Sequence, residues 1–308
     1  MPARTQLMHA SSDGKTAEVT ELLAANGDVN YQHPKNQWIA LMFAAAKNRT
    51  TVMKILLQAK AAVDVRGSDG NTALTLAAKR GHNAATERLL NANATVDKKD
   101  NTQRDALSWA ASEGHLTVVK TLLKARSPLD SDDGTPLMLA AYNGHWDCTK
   151  ALLRAEKKLN PVTYGLNATV AAAKNGFADM MTVLLETNAS LDLSPKYYNS
   201  LVQLAVTERH ADVLGVLLSQ RTSDRYVDLL NAHVAAVENR DVAVAKVLSV
   251  HPLSYKNGVE LQGKLLEMAE EGQWEYVQAL IKAGVSVNTK DSDGNTVLMI
   301  AAMAGHEE

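Results

Sequence analysis

The chain has 308 residues, and 32 lysines and arginines against 34 aspartates and glutamates give it a formal net charge of −2. This balance excludes nucleic-acid binding by a strongly basic surface, and a single cysteine excludes both a disulfide framework and a cysteine-based zinc site. Hydrophobic residues make up 46% of the chain and aromatic residues only 5%, a composition that favours closely packed, alanine-rich helices.

The sequence lacks signals that would point to other classes of protein. No apolar run reaches the roughly 18 residues of a membrane-spanning helix, and no apolar segment typical of a secretory signal follows Met1. We therefore expect a cytoplasmic protein that does not insert into a membrane. A Gly-rich phosphate loop, a nucleophile elbow and a His-Glu-x-x-His motif are also missing. This predicts a protein that is not an enzyme and binds no cofactor.

A six-residue motif recurs along the chain: two alanines, two variable residues, a glycine and a histidine. It stands at 77–82, 110–115, 140–145 and 301–306, and weaker copies keep the frame with glycine, asparagine or arginine at the fifth, marker position. Successive markers are 30 to 34 residues apart, which predicts about ten copies of one structural unit. In chain order the markers are Gly14, Asn48, Gly81, Gly114, Gly144, Gly176, Arg209, Asn239, Gly272 and Gly305.

Within a unit the pattern predicts a helix, a tight turn, a second helix and a loop. Thr72 is suited to cap the first helix of its unit, and the marker residue is suited to the left-handed turn that ends it. An Asp-Gly pair such as Asp69-Gly70 closes several units with a hairpin turn. The second helix carries an apolar stripe facing neighbouring units, which in the fourth unit consists of Val118, Val119, Leu122 and Leu123.

These features make the chain similar to the ankyrin repeat family, whose unit has about 33 residues and a Thr-Pro-Leu-His-x-Ala signature. The resemblance covers nearly all of residues 5–308 and implies an all-α solenoid of stacked helix-turn-helix units with short projecting hairpin loops. We predict a single domain, 1–308, with about nine full repeats and an incomplete tenth at 291–308. The signature histidine, which would link hairpins, is replaced by other residues, so we expect less ordered hairpins. The replacements are Thr75, Ser108, Met138 and Met299.

Three connections and the last unit depart from the regular pattern. Residues 159–161, 193–198 and 219–228 lack the Asp-Gly turn, although the helical stripes around them continue. We therefore expect the stack to continue there with a slight change of curvature. The last unit stops after its first helix, which leads us to expect a longer protein that continues beyond Glu308. Alternatively, this helix itself caps the stack.

Four histidines and the cysteine are the residues that could suggest chemistry. The histidines occupy one position in different units, which stack about 8–10 Å apart, whereas zinc takes nitrogen ligands at about 2 Å. We therefore predict that they stabilise turns and that the chain has no metal site. Cys148 lies on a second helix and is predicted to be a small buried hydrophobic residue. The four histidines are His82, His115, His145 and His306.

The resemblance also implies which surface binds a partner, because hairpin tips and first helices of ankyrin repeats line a groove. On this surface the N-terminal half is mainly basic, the C-terminal half is mainly acidic, and tyrosines lie between them. Three further tryptophans, Trp109, Trp146 and Trp274, fall at positions predicted to pack in the core. The predicted partner-binding residues are Trp38, Lys47, Lys79, Arg80, Arg104, Tyr142, Tyr164 and Tyr198.

We expect the groove to bind an extended or helical protein segment with an acidic stretch near repeats two to four. In the alternative interpretation the charges form a solvated face and the tyrosines fill gaps between repeats. The opposite face, made by the second helices, is also open as a docking surface.

Two functions remain possible from the sequence. The first is a non-enzymatic scaffold or adaptor that binds a partner protein or peptide through the groove. The second is the targeting or regulatory region of a larger enzyme, such as a protein kinase, whose catalytic domain lies beyond Glu308. Kinase motifs such as His-Arg-Asp past that residue would distinguish the two.

Overall fold

A computed structural model describes residues 3–129, 136–155, 161–187, 195–219, 229–251 and 261–305. Within these ranges the chain forms nineteen α-helices and no strand, with one isolated antiparallel bridge between Lys290 and Thr296. The all-α fold expected from the repeat is confirmed. None of the described helices is both long enough and apolar enough to cross a bilayer.

The chain divides into two compact units, 1–164 and 165–308, and the single-domain organisation stays a prediction. The helices of the first unit are α1 (Ala3–Asp13), α2 (Thr16–Ala24), α3 (Ala40–Ala46), α4 (Thr50–Gln58), α5 (Ala73–Lys79), α6 (Asn83–Asn91), α7 (Ala106–Ser112), α8 (Leu116–Lys124), α9 (Pro136–Tyr142) and α10 (Trp146–Ala155). Next comes α11 (Pro161–Asn175), within which the division falls. The helices of the second unit are α12 (Ala178–Thr187), α13 (Pro195–Thr207), α14 (Ala211–Ser219), α15 (Leu229–Glu238), α16 (Val242–Ser249), α17 (Gln262–Glu270), α18 (Trp274–Lys282) and α19 (Val297–Met303).

Within the first unit the helices form two rows. The first helices of successive repeats, α1, α3, α5, α7 and α9, contact one another in order, and so do the second helices α2, α4, α6, α8 and α10. The alanine pairs of the motif lie between first helices, where the absence of a larger side chain allows close packing. All of them are completely buried: Ala77, Ala78, Ala110, Ala111, Ala140 and Ala141.

The marker residues adopt the left-handed backbone conformation predicted for the turn between the two helices. Nine of the ten marker residues have a positive φ. The exception is Asn239, where the next residue, Arg240, adopts the left-handed conformation instead. The Asn239 amide still donates to the Ala235 carbonyl at 2.9 Å, so the helical hydrogen bonding runs one residue further than expected. The sequence prediction was therefore wrong by one residue in this repeat.

The histidines that follow the markers connect successive repeats. In each case the ring Nε2 lies 3.0 to 3.3 Å from a carbonyl oxygen at the end of the preceding first helix. A carbonyl only accepts, so Nε2 carries the hydrogen and donates it. The predicted structural role is confirmed for His82, His115 and His145, and it extends to the neighbouring repeat. His210 makes the same kind of contact, whereas the fourth predicted histidine, His306, lies outside the described residues. The four pairs are His82 with Ala46, His115 with Lys79, His145 with Ser112, and His210 with Lys174.

Adjacent hairpins of the first unit are linked without the signature histidine. The Ser68 amide donates to the Asn36 carbonyl at 2.9 Å, and the Asn101 amide donates to the Asp69 carbonyl at 3.0 Å. The side chain of Asn101 adds a bond to the Ser68 carbonyl at 2.9 Å. Thr75, which stands at the histidine position, instead forms a reciprocal cap with Thr72 at the start of α5. Backbone and asparagine contacts therefore take over the linking role.

Two first helices are longer than those of the regular repeats. α11 has 15 residues and α13 has 13, whereas α5 and α7 have seven each. Both long helices begin with proline, which is well suited to the first helical position. Where the Asp-Gly turn is missing, the chain thus enters a helix early. Both Tyr164 and Tyr198 therefore lie on these long first helices.

The described part of the last repeat exposes apolar side chains on α19. Leu298, Met299 and Met303 are 70%, 52% and 69% exposed. Val297 and Ile300 on the same helix are buried, and α19 packs against α17. The expectation that the protein continues beyond Glu308 stays a prediction.

Candidate partner-binding surface

Trp38 lies half-buried in the first described hairpin and is fixed on two sides. Its ring packs edge-on against Phe43, with the ring centres 5.2 Å apart. The indole also lies close against the backbone of the next hairpin at Gly67. A Cβ added to Gly67 would come within 2.7 Å of Trp38 Cδ1. The indole nitrogen is buried and has no hydrogen-bond partner in the described part of the chain. Trp38 therefore joins two hairpins and leaves only part of its ring accessible.

The ring of Trp109 contacts two of the predicted partner-binding residues. The ammonium nitrogen of Lys79 lies 3.5 Å from the ring centre, and the guanidinium carbon of Arg104 lies 4.8 Å from it. Both cations interact with the electron-rich indole and are half-buried. Trp109 itself is only 9% exposed, so its predicted packing role is confirmed. Its second role, as the platform for Lys79 and Arg104, was missed from the sequence.

Asp100 holds the Trp109 ring in position. Its carboxylate accepts the indole N–H at 2.8 Å, the Thr102 amide at 2.8 Å and the Thr102 hydroxyl at 2.7 Å. Burial opposes ionisation of Asp100, but the hydrogen bonds from Thr102 and Trp109 outweigh it and lower the pKa of this carboxyl. Asp100 therefore stays ionised at the edge of the ring and fixes the orientation of the indole.

The cations among the predicted binding residues have no carboxylate partner in the part of the chain that the structure describes. Within the described residues, none of Lys47, Lys79, Arg80 and Arg104 forms an ion pair, and Arg80 donates to the Ala46 carbonyl at 2.7 Å. Burial lowers the pKa of His82, the hydrogen bond to the Ala46 carbonyl opposes this, and the positive charges of Arg80 and Lys47 lower the pKa further. We call Trp38, Lys47, Lys79, Arg80 and Arg104 the basic face.

The acidic residues of the second unit differ in this respect. Glu271 pairs with Arg240 at 2.9 Å, and Lys264 lies 3.0 Å from Glu267 and 3.8 Å from Glu238. Three glutamates of the second unit, Glu238, Glu267 and Glu271, thus already lie beside cations of the same chain. These glutamates therefore contribute less free negative charge to the surface of the second unit than the sequence alone suggests.

The three tyrosines predicted to bind a partner differ in their positions and in what the structure shows of their side chains. Tyr142, in the last turn of α9, is 53% exposed, as a binding residue must be. Tyr164 lies on α11, but its side chain is outside the described residues. Tyr198 is completely buried, and its hydroxyl donates to the Leu217 carbonyl on α14. Its prediction as a groove residue was wrong, because the early start of α13 turns it into the core.

Clefts and potential metal ligands add no second candidate. In the described chain, no group of three or more His, Cys, Asp or Glu side chains could hold a metal ion. One open cleft of about 510 Å³ lies between the second helices α4 and α6, and another of about 510 Å³ lies between α13 and α15. Both are shallow depressions between neighbouring helices, without a cluster of perturbed titratable groups.

Comparison with protein families identifies the repeat. A family model of three ankyrin repeat copies matches residues 7–100, 59–133, 84–162, 107–195 and 137–228, and a model of many copies matches 265–308. The chain belongs to the ankyrin repeat family. Ankyrin repeats are generally protein–protein interaction modules, which agrees with a binding face instead of a catalytic pocket. Nothing among the curated proteins matches this ankyrin repeat chain.

Proposed function

We propose that this ankyrin repeat chain is a non-enzymatic, cytoplasmic scaffold or adaptor that binds a partner protein through its basic face. The observation that carries the proposal is the set of cations at the first helices and hairpins of the first unit, which form no ion pair among the described residues, with Lys79 and Arg104 held on Trp109. Partner-binding surfaces are enriched in Trp, Tyr and Arg. The exposed Tyr142 on α9 extends the set.

The charge of the basic face indicates an acidic partner segment. Side chains that are already held in place lose less conformational entropy on binding, and the indole of Trp109 holds two of them. Complementary charge would speed association and set the orientation of the segment. Since exposed charges are screened by salt, the affinity for the partner should fall as ionic strength rises.

The test is an affinity capture from native extract, with bound proteins identified by mass spectrometry. The variant Lys47→Glu, Arg80→Glu, Tyr142→Ala changes three exposed side chains of the candidate surface. We expect it to lose the proteins that the wild type retains. The matched control, Lys54→Glu, Lys120→Glu, Thr117→Ala, carries the same charge change on exposed positions of the second helices.

Two results would overturn the proposal. Equal retention by the wild type and the basic-face variant would move the interface elsewhere, and loss of binding in the control alone would place it on the second helices. Helix content by circular dichroism and the Tm must remain near wild type in both variants for the comparison to be valid.

A further inference from the structure

We propose that Lys79, Arg104 and Trp109 form a binding site for a phosphoryl group on a side chain of the partner segment. The proposal rests on the proposed function, since it specifies the chemistry that the basic face recognises. It concerns this cluster alone and not the remaining cations of the face.

The cluster is held in place before any ligand binds. Lys79 lies on α5 and Arg104 precedes α7, so the site is assembled from two successive repeats. Both cations lie on the ring of Trp109, at 3.5 Å and 4.8 Å from its centre, and Asp100 fixes that ring through its N–H. Because the Trp109 ring already holds both cations, each should lose little side-chain entropy when it binds an anion.

The charge balance favours a dianion over a single carboxylate. Apart from their contact with the ring, the Lys79 and Arg104 side chains make no hydrogen bond or ion pair within the described chain. The carboxylate of Asp100, which holds the indole, already accepts hydrogen bonds from the indole, from Thr102 and from the backbone amide of Arg104. A phosphoryl group carries about −1.5 to −2 charges at neutral pH and offers three acceptor oxygens. It can therefore satisfy the ammonium and the guanidinium together, and arginine binds phosphate in a bidentate way.

A phosphorylated protein segment is favoured over nucleic acid as the source of this group. Nucleic-acid binding relies on many phosphate contacts and a broad basic field, but the whole chain carries a net charge of −2. A site with two cations suits one isolated phosphoryl group, and it lies on the surface that we propose for protein partners.

The experiment uses the full chain and three degenerate peptide libraries. They carry phosphoserine, glutamate or serine at the central position, with the same random flanks. We expect the phosphoserine library to be retained about tenfold better than the glutamate library. In Lys79→Gln, Arg104→Gln the preference should disappear, whereas the control Lys54→Gln, Lys120→Gln should keep it.

A conservative variant and a spectroscopic signal separate binding from damage to the fold. Arg104→Lys keeps the charge but loses the bidentate geometry, so it should retain only part of the preference. The indole N–H signal of Trp109, assigned through Trp109→Phe, should shift when a selected phosphopeptide is added. It should not shift with the same peptide lacking the phosphate.

The outcomes distinguish this inference from the proposed function. Equal retention of the phosphoserine and glutamate libraries would overturn the phosphoryl site while leaving an acidic partner segment in place. Retention of no library, with cellular partners still captured through the basic face, would also overturn it. Tighter binding of a single-stranded oligonucleotide, lost in the Lys79 and Arg104 variant, would assign the site to nucleic acid and overturn it as well.

Discussion

Burial changes the pKa of individual titratable residues, and this has consequences for their reactivity. Cys148 is 1% exposed on α10, and burial followed by the negative charge of Asp147 raises the pKa of its thiol to about 11. Since the thiolate is the reactive form, we expect modification of the native chain by Ellman's reagent at pH 8 to be at least roughly a hundredfold slower than in concentrated guanidinium. Fast labelling of the folded chain would show that the α10 region opens readily.

His82 and His233 make stability dependent on pH. Burial lowers the pKa of both, and further positive charge from Arg80 contributes at His82. The unfolded chain therefore takes up protons first as pH falls below about 6.5. Their contribution is fully present above that pH and is lost as pH falls through the lower native values. We expect the free energy of unfolding to decrease between pH 7 and pH 5.

Urea denaturation at several pH values checks this expectation. The double variant His82→Gln, His233→Gln should show a shallower decrease than the wild type. An unchanged slope in the double variant would show that other groups dominate the pH dependence.

At the scale of elements, the link between successive repeats depends on the glycine and histidine of the motif together. Gly81 has φ +71°, and a Cβ added there would lie 2.6 Å from Nδ1 of His115, whose Nε2 donates to the Lys79 carbonyl at 3.1 Å. We expect Gly81→Ala to destabilise the chain by about 2 kcal/mol or more, from left-handed backbone strain plus the steric conflict. His115→Ala should cost about 1–2 kcal/mol through the lost bond.

A double-mutant cycle at these two positions tests whether the ring causes the conflict. Once His115 is alanine, the new Cβ meets no ring, so Gly81→Ala should cost only the backbone strain of about 1 kcal/mol. Additive free energies of unfolding across the cycle would mean that the histidine does not press on the glycine turn.

The first helices of the repeats show which structural features a local sequence pattern can predict and which it cannot. The seven-residue helices α5 and α7 begin after Thr72 and Asp105, each of which caps its helix with its side chain. The sequence predicted the cap at Thr72 but not the one at Asp105. The long α11 and α13 were not predicted, because a missing Asp-Gly turn indicates only that a hairpin is absent. What replaces the hairpin depends on the packing of the added turns, as for Tyr198 against α14.

For the whole molecule, the same motif residue contributes differently in different repeats. Leu74 and Leu298 both lie seven residues before their marker glycines, but Leu74 is 1% exposed between neighbouring repeats and Leu298 is 70% exposed. We expect Leu74→Ala to cost about 2–4 kcal/mol and Leu298→Ala to change the free energy of unfolding by less than about 0.5 kcal/mol. Chemical denaturation measures both, and a large loss in Leu298→Ala would show that α19 packs against a further surface.

The sequence by itself determined the repeat, the turns and the fold, because these depend on local backbone conformation and on the periodicity of apolar residues. A left-handed turn requires the same residue types wherever it occurs, so the markers were readable in nine of ten repeats. Only the tertiary structure brought together the cluster that we propose as a binding site. Lys79 and Arg104 are 25 residues apart, and no spacing in the chain shows that one indole holds both. Such contacts arise from the stacking distance between repeats and from side-chain packing across it, which a linear pattern does not encode.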